Sequence, residues 1–480
     1  MNIIESGLIM NKKRELIFNT IIIFLGRAST QLISLIMLPL YTSYVITEEY
    51  GIVDLINTYV ALVVPILSLE LDMAVFRFLI DKRNDENEKK TIISTIFYTV
   101  LLIIILCIPL YLLIDYFVKF KYSIFILLCI IFNMIYLILI QICRGLGKNI
   151  DYSIACTLGG IVTIIMNVIL LIPFKMGGMG MLISLIVSYI IGSIYLLIRT
   201  DCIKYISKRS FDKKVLKHLI KYSVPLIPNL ISWWIVSVSD RTIISIFLGT
   251  SLTGIYSVAN KFPTLFNGVY NVFHLSWSEQ ASIHYKDKDR NIYFSDVINN
   301  GIKIFGCVCI LLLSILPIIY KCLVNKDYIS SYFQVPILMI SIMFNVAIGL
   351  ISVIYIAEKK SGELAKTSII ASIINISINL LFVKKLGLYA ASISTLIAYL
   401  SMLIFRIIDI KKYLRINYNI KMIILLVIIY GIVCFSYYIN NVYINYIIFV
   451  LSLLSCVYIN SENIQKILKF IKKKVRKNET

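Results

Sequence analysis

Apolar runs of 20 to 30 residues recur along this 480-residue chain, and no other feature constrains its fold as strongly. A helix needs roughly 20 apolar residues to cross a bilayer, whereas a transmembrane barrel needs alternating strands of about ten. Continuous runs therefore predict an all-α polytopic membrane protein. At 59% hydrophobic and 15% charged residues, with mean hydropathy +0.88, the composition excludes an ordinary soluble domain. Fourteen spans are expected, at residues 16–45, 51–80, 91–118, 122–143, 151–174, 179–198, 222–248, 252–283, 297–320, 330–357, 367–383, 388–405, 422–439 and 442–460. The first run is too long for a signal peptide's apolar core and lacks a small-residue cleavage site, so a retained anchor is expected.

The net charge of +21 does not point to nucleic acid, because the charges are sorted by side. Fourteen spans place both ends on one face, and the segments on that face hold 35 of the 47 Lys and Arg residues. The opposite loops hold 7 and the spans themselves 5. By the positive-inside rule the basic face is cytoplasmic, where it also attracts anionic membrane lipids. The ten cysteines lie scattered in apolar runs, and Cys307 and Cys309, with one residue between them, suit neither zinc nor a redox pair. His218, His274 and His284 are too separated to form a metal cluster. No metal site and no cofactor is expected.

Two halves repeat. The residues from Tyr50-Gly51 after the first span match Thr253-Gly254 after the seventh, an offset of 203, and Gly177 to Ser184 match Gly387 to Ser394, an offset of 210. Both halves begin inside and contain six spans, which predicts two parallel lobes related by an axis along the membrane normal. A central cleft with alternating access is the expected mode of action. The corresponding domains are an N-terminal six-helix lobe (1–198), a basic cytoplasmic linker (199–221) and a C-terminal six-helix lobe (222–410). Two extra helices (411–460) and a basic cytoplasmic tail (461–480) follow.

Charges inside spans mark the candidate site, because an ionisable group at mid-membrane costs about 2.5 to 3.5 kcal/mol and generally faces a partner or a watered cavity. Arg241 precedes the turn at Gly249 to Ser251 and Lys261 follows it, so two cations are expected at one depth. Arg27 and Glu70 fall at similar depth counted from the inner surface, which predicts a charge pair or a substrate role. Asp72 and Asp240 are further candidates for pairing or ion coupling. Arg77 and Lys303 lie near the inner boundary, where they can snorkel or line a cavity mouth. The deep cations Arg27, Arg241 and Lys261 balance the deep acids Glu70, Asp72 and Asp240, and only Arg77 and Lys303 tip the sum positive.

The stretch from Asp240 to Lys261, the small-residue start of the twelfth span and the plan of six, six and two spans resemble the bacterial polysaccharide flippases. These belong to the multidrug, oligosaccharidyl-lipid and polysaccharide exporter superfamily. The resemblance implies a plasma-membrane transporter, not an enzyme, that moves oligosaccharide repeat units of O-antigen or capsule on undecaprenyl diphosphate from the inner to the outer leaflet. It also implies that Arg241, Lys261, Arg27 and Arg77 meet the substrate, that Trp234 or Trp277 stacks on sugar, and that Na⁺ or H⁺ and a polysaccharide polymerase are possible partners. A peptidoglycan-precursor or sporulation-type flippase is the second reading. A multidrug cation antiporter comes next, which should show acids without compensating deep cations. A membrane polymerase or ligase is the enzymatic alternative, but every outer connection is short and no catalytic constellation appears.

Overall fold

In the computed structural model, residues 33–358, 360–463 and 465 are described, and among them every regular element is helical. In chain order the helices are α1 (Leu38–Tyr44), α2 (Thr47–Leu67), α3 (Leu71–Asp81), α4 (Glu86–Val118), α5 (Ser123–Gly145) and α6 (Asn149–Leu171). Next come α7 (Gly177–Thr200), α8 (Cys202–Tyr205), α9 (Lys213–Ser223), α10 (Ile227–Leu248), α11 (Thr250–Ala259) and α12 (Lys261–His284). The last six are α13 (Arg290–Leu323), α14 (Val335–Ala357), α15 (Ser361–Leu386), α16 (Leu388–Asp409), α17 (Ile420–Ile439) and α18 (Val442–Ile459). Eleven helices among the described residues are long and apolar enough to cross a membrane. The remaining expected spans are the first, which lies mostly outside the described residues, the seventh, which corresponds to α10, and the eighth, which is divided.

Two spans expected to be continuous are interrupted, each for a local reason. The eighth parts at Asn260 into α11 and α12. Pro263 has no N–H to give to the carbonyl of Ala259, so one rung of the helical ladder is missing at that point. Asn260 keeps helical dihedrals and its side chain donates to the carbonyl of Tyr256 at 3.0 Å, which makes the site a kink rather than a stop. The second span divides between α2 and α3, where Leu69 and Glu70 adopt φ of 55° and 54°. Left-handed dihedrals are costly away from glycine. Here the Glu70 amide closes the end of α2 on the Pro65 carbonyl at 2.8 Å.

The chain forms two compact units, one of residues 1–245 with 249–254 and the other of 246–248 with 255–480. In the first unit, α7 packs on α5 and α6, and α3 packs on α5. The basic segment 199–221 is folded onto the same unit. Ser94 donates to the carbonyl of Tyr205, the Asp212 amide donates to Thr95 at 3.1 Å, and α9 packs on α3 and α4. Leu219 is the buried contact of α9, while Lys213, Lys214, Lys217 and Lys221 remain exposed. In the second unit α16 packs on α14 and α15, α12 packs on α14, and α13 supports α17 and α18. Helix α17 is fastened by tyrosines. Tyr332 and Tyr437 stack with ring centroids 4.0 Å apart, and each hydroxyl donates to the other residue's carbonyl, at 2.9 and 3.0 Å.

The internal repeat is visible in backbone geometry. Gly177 and Gly387, 210 residues apart, both take a positive φ, 54° and 58°, where α7 and α16 begin. Gly51 and Gly254, 203 residues apart, meet each other. A Cβ on Gly51 would lie 2.0 Å from the carbonyl oxygen of Thr250, and one on Gly254 would lie 2.1 Å from that of Thr47. Thr47 and Thr250 stand four residues before the two glycines, so each repeat offers the same groove to the other. Only a hydrogen on the α-carbon permits this approach.

Candidate substrate site

Helices α2 and α10 build the site from their adjoining ends. Thr47 Oγ1 and Ser251 Oγ share a hydrogen bond at 2.7 Å, which brings the start of α2 beside the chain that leaves α10. Counting seven residues inward from Thr47 reaches Asp54, and seven inward from Leu248 reaches Arg241. At 1.5 Å per residue both lie about 10 Å from the helix ends. They form an ion pair with Nε and Oδ2 2.9 Å apart, and their side chains are 19% and 15% exposed. The Nε proton is not aligned on the carboxylate, so the contact is one of charge without a formed hydrogen bond.

One turn further in, the same two faces meet again. Residues four apart on α2 and seven apart on α10 lie on one side of each helix. Accordingly Trp234 Nε1 donates to the Thr58 carbonyl at 3.0 Å, and its ring lies 5.5 Å from that of Tyr59. The Tyr59 hydroxyl shares a hydrogen bond with Thr242 Oγ1 at 2.9 Å. Arg241, Trp234 and Asp54 thus occupy one patch of the first unit. Asp240, next to Arg241 but turned about 100° round the helix, is buried.

The other expected residues are placed separately. Lys261 is the first residue of α12, directly after the kink at Asn260, and belongs to the second unit. Arg27, and with it the expected pair with Glu70, lies outside the described residues. Glu70 and Asp72 are both buried at the interruption between α2 and α3, and no cation pairs with either among the described residues. Arg77 bonds Asp81 at 2.7 Å one turn along α3, with both side chains about half exposed, 49% and 57%. Trp277 is buried in the second unit, where its Nε1 donates to the Leu350 carbonyl at 3.0 Å and Phe294 packs against its ring.

Two functional or structural charges were not singled out from the sequence. Asp54 was legible only by counting from the helix ends that adjoin, which matches it with Arg241. Its inclusion sets four acids against the three deep cations read from the sequence. Arg406 reads as an ordinary basic residue at the end of the twelfth span, yet it is buried in α16. Its Nη2 and Nε donate to Thr367 Oγ1 at 2.8 and 3.1 Å, and Nη1 donates to Ser352 Oγ. The apolar residues on both sides of it, Ile404, Phe405, Ile407 and Ile408, were the available signal.

Fold and site together define a multi-pass helical membrane protein with an ion pair inside its spans. The sequence profile of the polysaccharide biosynthesis protein family matches residues 16–277, more than half of the chain. The chain belongs to that family. No curated protein matches it. Among solved structures, one described as the lipid II flippase MurJ in an inward closed conformation aligns with TM-score 0.67 over 93% of this chain and 100% of that one, at 17% identity. A multidrug resistance MATE family transporter of the MOP superfamily, in an inward-facing conformation, aligns with TM-score 0.60 over 81% of this chain and 94% of its own, at 12% identity. A further MATE structure, in complex with MaL6, aligns with TM-score 0.59 over 84% of this chain and 97% of its own, at 12% identity. The chain therefore shares the fold of these transporters.

Proposed function

We propose that this protein flips undecaprenyl-diphosphate-linked oligosaccharide repeat units from the inner to the outer leaflet of the bacterial plasma membrane, by alternating access, for cell-surface polysaccharide synthesis. The observation that carries the reading is the family match over residues 16–277, the segment that contains Arg241, Lys261 and Trp234. Both termini are cytoplasmic in this reading. The chemistry is consistent with it. A diphosphate sheds water to enter the membrane, and a guanidinium or ammonium in a cavity replaces that water with charge-assisted hydrogen bonds. An inside-negative potential favours outward passage of an anion by about 2.3 kcal/mol per charge per 100 mV. Trp234, beside Arg241 on the same helical face, offers a flat apolar surface to a sugar.

The structural likeness to a lipid II flippase over the whole of that chain favours a peptidoglycan precursor as the second substrate. Proteoliposomes separate the two readings. Outward movement of a labelled undecaprenyl-diphosphate oligosaccharide, lost in Arg241→Ala and in Lys261→Ala at matched insertion, is the expected result. Movement of a lipid-linked peptidoglycan precursor in place of the oligosaccharide would transfer the assignment to the second reading. Normal movement in both variants would remove the two cations from the substrate path.

A further inference from the structure

Among the described residues, one carboxylate pairs with Arg241, through a misaligned contact. Its Nε lies 2.9 Å from Asp54 Oδ2 without a formed hydrogen bond, and among the described residues neither Nη makes a hydrogen bond. A guanidinium presents five N–H donors in a fixed fork that fits a phosphate with two parallel bonds. Here that fork is neutralised electrostatically but not engaged geometrically. Tyr59, Thr242 and Trp234 satisfy one another and the α2 backbone around it, so none of them competes for the fork.

We propose that Asp54 is a positioning residue that holds Arg241 in place of the substrate, and that a phosphate group of a polyprenyl diphosphate displaces it. This rests on the flippase reading and deepens it. Asp54 then sets a threshold. A ligand that offers a single weak acceptor cannot compete with a resident carboxylate, whereas a diphosphate with several charged oxygens can. The apparent affinity is lowered by the fraction of time that Arg241 spends on Asp54. A mere clasp between α2 and α10 would behave in the opposite way, since breaking it would loosen the site.

Binding of undecaprenyl diphosphate to the purified full-length protein in nanodiscs tests this through a double-mutant cycle. Asp54→Asn is expected to bind about two to five times more tightly than the unaltered protein, the range over which a partly exposed ion pair holds its partner. Arg241→Gln is expected to bind more weakly, and adding Asp54→Asn to it should change nothing further. Asp54→Glu, which keeps the charge, should return affinity close to that of the unaltered protein and guards against a folding defect in the amide variant. Weaker or unchanged binding in Asp54→Asn, with Asp54→Glu well folded, overturns the proposal. Equal tightening with and without Arg241 also overturns it, because it would mean that only long-range charge had changed. Absence of binding in every form, the unaltered protein included, overturns the flippase reading and this proposal with it.

Discussion

Two arginines inside membrane-spanning helices are treated in opposite ways. In the second unit Arg406 is 3% exposed, with hydroxyls of Thr367 and Ser352 taking its N–H groups and no carboxylate ion-paired with it among the described residues. In the first unit Arg241 is 19% exposed, faces a carboxylate and makes no hydrogen bond to the described residues. The difference is between solvation and compensation. Hydroxyls replace the water that a buried cation loses, and they fix its position because each bond has a direction. A carboxylate cancels charge at little geometric cost, and it can be exchanged for another anion. A fixed arginine suits architecture, and an exchangeable one suits a ligand.

The sharpest way to break this comparison is to remove solvation from Arg406. Thr367→Val deletes the acceptor of two guanidinium bonds and leaves a buried charge short of partners, which should cost about 2 to 3 kcal/mol in thermal unfolding of the detergent-solubilised protein. Arg406→Leu should cost less, about 1 kcal/mol, because Ser352 and Thr367 already bond carbonyls of their own helices and are not orphaned. If the arginine deletion proves the more damaging of the two, Arg406 is held by its packing rather than by its hydroxyl shell.

The crossing of α2 and α11 sharpens the other side. Gly51→Val places a branched side chain against the Thr250 carbonyl, and overpacking of this kind costs about 1 to 3 kcal/mol. Cysteines introduced as Thr47→Cys and Ser251→Cys should crosslink efficiently, and Gly51→Val should suppress that crosslink while leaving α13 to α18 unaffected. At the small end lies Arg77→Gln. The pair with Asp81 is solvent-exposed and contributes little, so unfolding temperature should not move measurably. A transport defect without a stability defect in that variant would place Arg77 at the cavity mouth.

How far the sequence spoke depends on the kind of fact. Helical class followed from run length, and the matched glycines at 177 and 387 share a positive φ, because period and spacing are local properties. The kink before Lys261 was also local, written in Pro263 and overlooked in a run that reads as continuous. The pair of Asp54 and Arg241 was of another kind. Each residue lies at a readable depth, but partnership depends on which helices adjoin and on which faces turn inward, and hydropathy carries neither. Arg406 shows the converse. Its position near a span end suggested a solvated charge, while five hydroxyl and carbonyl contacts from α14 and α15 gave it a protein environment that no window along α16 could register.

The reciprocal tyrosines that fasten α17 have a practical side. Because Tyr332 and Tyr437 bind each other's carbonyls and α13 supports both final helices, a fluorophore placed just after Ile459 is rigidly coupled to the second unit. Its signal would follow that unit as a whole during a transport cycle, making the end of the last span a natural address for distance measurements.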